Sequence, residues 1–252
     1  FFFKQKTAYE IYQYDWSSDV CSSDLLAAAV DAGYQQLATH NRPPPPLPAS
    51  LADLPIVEVP VATPGSRFAV LVSGDGGWAG IDKALAAALS AQGVPVAGFD
   101  SLRYFWSART PEGFANDLDR MVRYYAARWG RSELILIGFS QGADVLPFAI
   151  NRLDTEARGR LKLAALLSLG QKASFEFKVK NWLGPSGDVP VQPEAEKLAA
   201  AETLCVHGRA DKESLCPALA PDHARVVMLE GGHHFDGDYE KLARIILSHA
   251  GP

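Results

Sequence analysis

LILIGFSQGADVLPF, residues 134–148, is the stretch that decides the fold. Its first part is an apolar run of strand length, and its second part reads as a helix. Ser140 sits at the break, inside Gly138-Phe139-Ser140-Gln141-Gly142, which fits G-x-S-x-G. A strand before such a serine and a helix after it form a nucleophile elbow. The glycines relieve crowding around a strained backbone. The helix that follows aims its free N–H groups and its dipole at developing negative charge. The plain alternative is a small residue in a tight turn.

Outward from the elbow, apolar strands alternate with helices. Strand patterns cover IVEVPV (56–61), RFAVLVSG (67–74), VPVAGFDS (94–101), ELILIGF (133–139), TLCVHG (203–208) and ARVVMLEG (224–231). Helical patterns cover 80–93 with Gly93 as a stop, 111–130 with proline in its first turn, 141–153, 193–201 and 238–249. LKLAALLSLG (161–170) and ASFEFKV (173–179) read as two strands, or as one strand and a loop. This order predicts an α/β fold: a mostly parallel sheet with helices on both faces. Ligand sites of such sheets lie beyond the C-terminal strand ends.

The composition, 48% hydrophobic and 21% charged over 252 residues, is that of a globular chain able to bury a core. A net charge of −5 supplies no basic footprint for nucleic acid. No apolar run is long enough for a transmembrane segment.

Residues 1–25 stand apart. FFFKQKTAYEI and DWSSDVCSSDL resemble translations of the two common parts of a sequencing adapter, so this segment, Cys21 included, is expected to be non-native. Residues 26–53 read as a helix tail (26–40) followed by the proline-rich linker NRPPPPLPAS (41–50). The folded domain is expected over 54–252.

Three features fall at the strand ends. Ser140 is the first. The second is the loop Ser73-Gly74-Asp75-Gly76-Gly77-Trp78, placed to give an oxyanion-hole amide from Asp75 or Gly76 beside that of Gln141. A phosphate loop would need a Gly-Lys-Ser/Thr ending, which is missing here. The third is the late acid and base, in the chain order Ser, Asp, His. Asp211 follows the strand at 203–208, with Glu213 in reserve. His233 and His234 follow the strand at 224–231. A hydroxyl needs an imidazole to take its proton, and a carboxylate holds that imidazole in the useful tautomer. The Phe235 that follows favours His234 as base, with His233 in reserve. His207, within a strand, reads as a core histidine or as one that supports the site from behind. Adjacent histidines without H-E-x-x-H do not suggest a metal, and no cofactor is expected. Cys205 and Cys216 flank Asp211 as an even pair. This suggests a disulfide and an oxidising compartment, the alternative being two buried thiols.

Taken together, SGDGGW, GFDSLRYFW, RTPE, GFSQGADVLPF, NRL, LCVHG…LCP and GGHHFDGDY resemble the VirJ/AcvB family of bacterial virulence proteins, from about Leu54 to the C-terminus. The resemblance implies an α/β-hydrolase fold, a periplasmic location, and hydrolysis of aminoacyl-phosphatidylglycerol, typically the lysyl lipid, at the membrane surface. It assigns Ser140 as nucleophile, Asp211 as acid and His234 as base. The elbow reads Ser-Gln-Gly where relatives include Ser-Phe-Gly; that position supplies a backbone amide. The linker resembles the longer AcvB form, so a related upstream domain carrying the export signal is expected. A cationic aminoacyl group calls for carboxylates, for which Asp75 and Asp100 are candidates, with loop capping as the alternative. Tyr104, Phe105 and Trp106 are candidates for a lipid-facing surface, with plain packing as the alternative. Two other functions fit the same residues: a non-catalytic adapter that binds secretion-system proteins, and a general esterase or thioesterase.

Overall fold

A computed structural model describes residues 48–177 and 189–251. The adapter-like segment, the helix expected over 26–40 and most of the proline-rich linker lie outside the described residues, as do 178–179 of the strand candidate at 173–179.

The chain runs β1 (Ile56–Val59), β2 (Arg67–Val72), α1 (Gly80–Ala91), β3 (Val96–Phe99), α2 (Ser101–Tyr104), α3 (Pro111–Trp129), β4 (Glu133–Phe139), α4 (Gln141–Ile150), α5 (Thr155–Arg160), β5 (Leu161–Leu167), β6 (Lys172–Ala173), β7 (Val189–Pro190), α6 (Gln192–Ala195), β8 (Thr203–Gly208), β9 (Arg225–Leu229) and α7 (Tyr239–His249). Seven strands form one sheet in the order β1-β3-β2-β4-β5-β8-β9. All neighbours are parallel except β1 with β3. β6 and β7 form a separate antiparallel pair. The mostly parallel sheet with helices on both faces is thus observed.

Strand periodicity divides the core in two. Phe68, Val70, Val72, Leu134 and Leu136 face one layer, with Leu118, Met121 and Tyr125 of α3 and Val145 and Leu146 of α4. Ala69, Leu71, Ile135 and Ile137 face the other, with Leu85 and Leu89 of α1 and Leu242 and Ile246 of α7. The interior strands are therefore apolar on both faces, whereas the edge strand β9 leaves Val226 and Met228 exposed. Thr110 Oγ1 accepts from the Gly113 amide to start α3, and Gly130 at φ 61° ends it.

Two expected elements are shorter. The helix over 193–201 is one turn, α6. Beyond it Leu198 N donates to Ala195 O, and Ala200 N donates to Asp222 O, which draws the backbone out of helical register. The ASFEF part of the second strand candidate is mostly loop, because Phe175 packs on Phe105 and Phe148 while its carbonyl accepts from Arg109.

In register, Val72 lies beside Gly138, Phe139 beside Leu167, and Leu167 beside Val206. The C-terminal ends of β2, β4, β5 and β8 thus form one row, and the loops carrying the candidate residues leave it together.

Candidate active site

Ser140 caps α4 with φ 52° and ψ −121°, a conformation few non-glycine residues adopt. The turn is held by Ser140 N donating to Leu167 O and Asp144 N donating to Ser140 O, both at 3.0 Å. Both motif glycines are required by close approach. A Cβ on Gly138 would lie 2.5 Å from Gly142 O, and one on Gly142 would lie 2.2 Å from Val72 O. G-x-S-x-G is therefore the sequence that lets α4 start directly over β4 and β2.

The glycine-rich loop adjoins the serine: a Cβ on Gly74 would be 3.4 Å from Ser140 Cβ. Asp75 and Gly76 are exposed, and the amides of Asp75, Gly76 and Gln141 enter no turn or loop hydrogen bond among the described residues. A buried serine pair fixes this loop. Ser101 N donates to Ser73 Oγ, and Ser101 Oγ donates to Ser73 O and Gly74 O at 2.8 and 2.6 Å. Sequence reasoning missed both serines, since each is an ordinary residue next to a strand end.

Asp211 and the histidines meet at the other side of the row. Asp211 Oδ2 is 3.0 Å from His233 Nδ1, with the carboxylate side chain 7% exposed and the imidazole 43% exposed. Expectation placed His234 there, so the pairing is corrected. Phe235 is buried with φ 54°, anchored against the α7 face of the sheet. Gly231, at φ 86°, turns the chain after β9. Held at both ends, the loop presents His233 to the acid and leaves His234 exposed. Both imidazoles lie 5.3 Å, ring to ring, from Phe139, the residue before Ser140. Glu213 is exposed on the acid loop, and Asp211 is the carboxylate that meets an imidazole. His207 is buried in β8, with Nδ1 3.2 Å from Gly208 O, as a core histidine should be. Cys205 and Cys216 form a disulfide across the acid loop.

The remaining candidates separate. Tyr104 is buried, packed among Phe99, Phe105 and Phe114, with its hydroxyl donating to Asp117. It is a core residue and not a lipid-facing one. Asp100 Oδ1 accepts from Arg103 N and caps α2, the capping alternative. Trp106 is 67% exposed and stacks at 5.3 Å on Phe177. Asp75 lies exposed on the rim.

One acid was not foreseen. Asp144 lies on α4 one turn after Ser140, and its Oδ1 accepts from Gly170 N at 2.6 Å. Burial pushes its carboxyl up to about 8, with the charges of Asp75 and Asp211 adding to the effect. No group of three metal-ligating side chains occurs among the described residues.

The chain that carries this geometry has relatives among known proteins. Residues 66–251 match the family described as bacterial virulence protein (VirJ). The chain belongs to the VirJ family. No curated protein matches it. Among solved structures, the family fold is similar to the esterase Est1E from Butyrivibrio proteoclasticus, seen with ferulic acid (TM-score 0.56, 16% identity, 77% of this chain and 93% of that one). It is also similar to a thioesterase domain from the curacin biosynthetic pathway (0.51, 18%, 76% and 94%). An esterase from Exiguobacterium antarcticum matches likewise (0.52, 12%, 77% and 94%). At these identities the likeness establishes the α/β-hydrolase fold for this VirJ-family chain.

Proposed function

We propose that this VirJ-family domain is a serine hydrolase that cleaves the aminoacyl ester of aminoacyl-phosphatidylglycerol, the lysyl lipid foremost. The observation that carries the reading is the Asp211–His233 hydrogen bond on loops beside the elbow of Ser140. Asp211 holds the Nδ1–H tautomer, so Nε2 is free to act as base. His233 takes the Ser140 proton as Oγ attacks the ester carbonyl. The amides of Gln141 and of Asp75 or Gly76 receive the oxyanion. His233 returns the proton to the departing lipid glycerol, and water then releases the amino acid from the acyl-enzyme.

The aminoacyl choice is supported by charge. Asp75 is exposed on the glycine-rich loop that adjoins Ser140, and a carboxylate there favours a cationic acyl group over an anionic one. Trp106, exposed and stacked on half-buried Phe177, offers an apolar surface for lipid. The buried disulfide agrees with a periplasmic location.

The test is to incubate the protein and its Ser140→Ala variant with lysyl- and alanyl-phosphatidylglycerol in mixed micelles and to follow amino-acid release. Release by the wild type alone supports the reading. Hydrolysis of soluble short-chain esters without lipid turnover moves it to a general esterase or thioesterase, the activities named for the solved relatives. No turnover of any ester by folded protein moves it to an adapter of the secretion machinery.

A further inference from the structure

The four residues that end β5 and follow it, Leu167-Ser168-Leu169-Gly170, bond in turn to the segments that carry Ser140, His233 and Asp211. Leu167 O accepts from Ser140 N at 3.0 Å. Ser168 N donates to Val206 O at 2.8 Å, and Ser168 Oγ donates to His233 O at 2.9 Å. Leu169 O accepts from Leu215 N, on the far side of the Asp211 loop, at 2.7 Å. Gly170 N donates to Asp144 on the nucleophile helix at 2.6 Å. The nucleophile turn, the base and the acid loop thus share one short segment as their common support.

Ser168 is the unusual member. It is 2% exposed and has φ 52°, in the left-handed region where glycine is the default residue. Glycine would meet the backbone requirement without strain. A serine supplies one thing more, the hydroxyl, and that hydroxyl is spent on the carbonyl of the histidine paired with Asp211. Backbone strain kept at a buried position beside reacting groups marks a local constraint on geometry.

We infer that Ser168 is a positioning residue: its hydroxyl fixes the His233 backbone, and so the imidazole, between Asp211 and Ser140. The inference rests on the reading of His233 as base. The backbone on either side of His233 is tied, Gly231 O accepting from Ala210 N and Gly232 O from Phe235 N, and the Ser168 hydroxyl is the tie on the His233 carbonyl itself. The His233 side chain is partly exposed, so its place depends on the backbone that carries it. A small displacement of a general base lowers the chemical step without weakening substrate binding.

The experiment uses Ser168→Gly, Ser168→Ala, His233→Ala and the double variant Ser168→Gly/His233→Ala. Each is assayed on p-nitrophenyl acetate and lysyl-phosphatidylglycerol, with kcat, KM and thermal midpoint recorded. The expected result is a kcat about 10- to 100-fold lower in both serine variants, with KM nearly unchanged. An altered kcat beside an unaltered KM is the readout that a merely structural role would not give. The glycine variant should be the more heat-stable of the two while regaining no kcat, which separates strain from the hydroxyl. In the His233→Ala background the serine change should cost nothing further. Wild-type kcat in Ser168→Gly, with His233→Ala inactive, overturns the inference and leaves the base reading standing. Full activity in His233→Ala overturns both. Should the alanine variant fail to fold, the glycine variant carries the comparison.

Discussion

Asp211 meets His233, and not His234, at 3.0 Å, through a carboxylate almost wholly withdrawn from solvent. A buried carboxylate on one imidazole nitrogen selects the tautomer and stabilises the imidazolium formed in the transition state. His233→Ala is therefore expected to lower kcat/KM by about three orders of magnitude or more, and Asp211→Asn by about two to four. His234→Ala should cost less than about tenfold. Steady-state hydrolysis of a soluble ester, with folding checked by circular dichroism, reads all three. A large loss confined to His234→Ala would return the base to the position favoured by the Phe235 that follows it.

Gly142 is a packing residue. The 2.2 Å approach of an added Cβ to Val72 O is against backbone at the C-terminal end of the interior strand β2, where neither side can yield cheaply. Gly142→Ala is expected to destabilise the fold by about 3 kcal/mol. Urea unfolding should show a lower midpoint with an unchanged slope. An alanine variant as stable as the wild type would mean that α4 starts farther from β2.

Asp144 makes stability fall with rising pH. Its native carboxyl titrates near 8, whereas in the unfolded chain it ionises near the ordinary aspartate value of 3.8. Between those values the native state holds a proton that the unfolded state has lost, so raising the pH through that window favours unfolding. The contribution is fully present below about pH 4 and gone above about pH 8. Asp144→Asn keeps an acceptor for Gly170 N and cannot ionise. It should flatten the stability–pH curve between pH 5 and 8 by an amount on the order of a few kcal/mol. Parallel curves for the two proteins would show that burial of Asp144 is relieved by solvent or by ionic partners.

The elbow and the sheet were legible because both are written in contiguous residues. A strand-length apolar run, five motif residues and a helix specify one local geometry, and the alternation around them specifies parallel pairing. The cysteine pair was legible for the same reason: both partners flank one short loop. Which histidine meets Asp211 was not, since two adjacent histidines differ only in how the buried Phe235 and the turn at Gly231 orient them. Tyr104 reads as part of an exposed aromatic run, yet its neighbours Phe99 and Phe114 come from other elements and enclose it. Ser73, Ser101, Ser168 and Asp144 carry no pattern of their own. Each acquires its task only when parallel strands bring their ends into one row.

The disulfide is expected to bear on both stability and catalysis, because it joins β8 to the turn beyond Asp211. Cys205 and Cys216 are buried and 11 residues apart in sequence, and the loop they close contains the acid. Closing a loop of this size is worth on the order of 3 kcal/mol, chiefly by restricting the unfolded chain. Reduction, or Cys216→Ser, is therefore expected to lower the thermal midpoint by several degrees. The acid loop keeps other ties, Asp211 N to Gly208 O and Leu215 N to Leu169 O, so the folded protein should remain competent below that midpoint. Its kcat should fall, because Asp211 is held less firmly against His233, while KM stays near its oxidised value. Scanning calorimetry with and without a phosphine reductant, paired with kinetics well below the transition, separates the two effects. Equal kcat in both redox states would confine the bridge to stability. A coordinated loss of kcat and midpoint would tie full activity to an oxidising compartment.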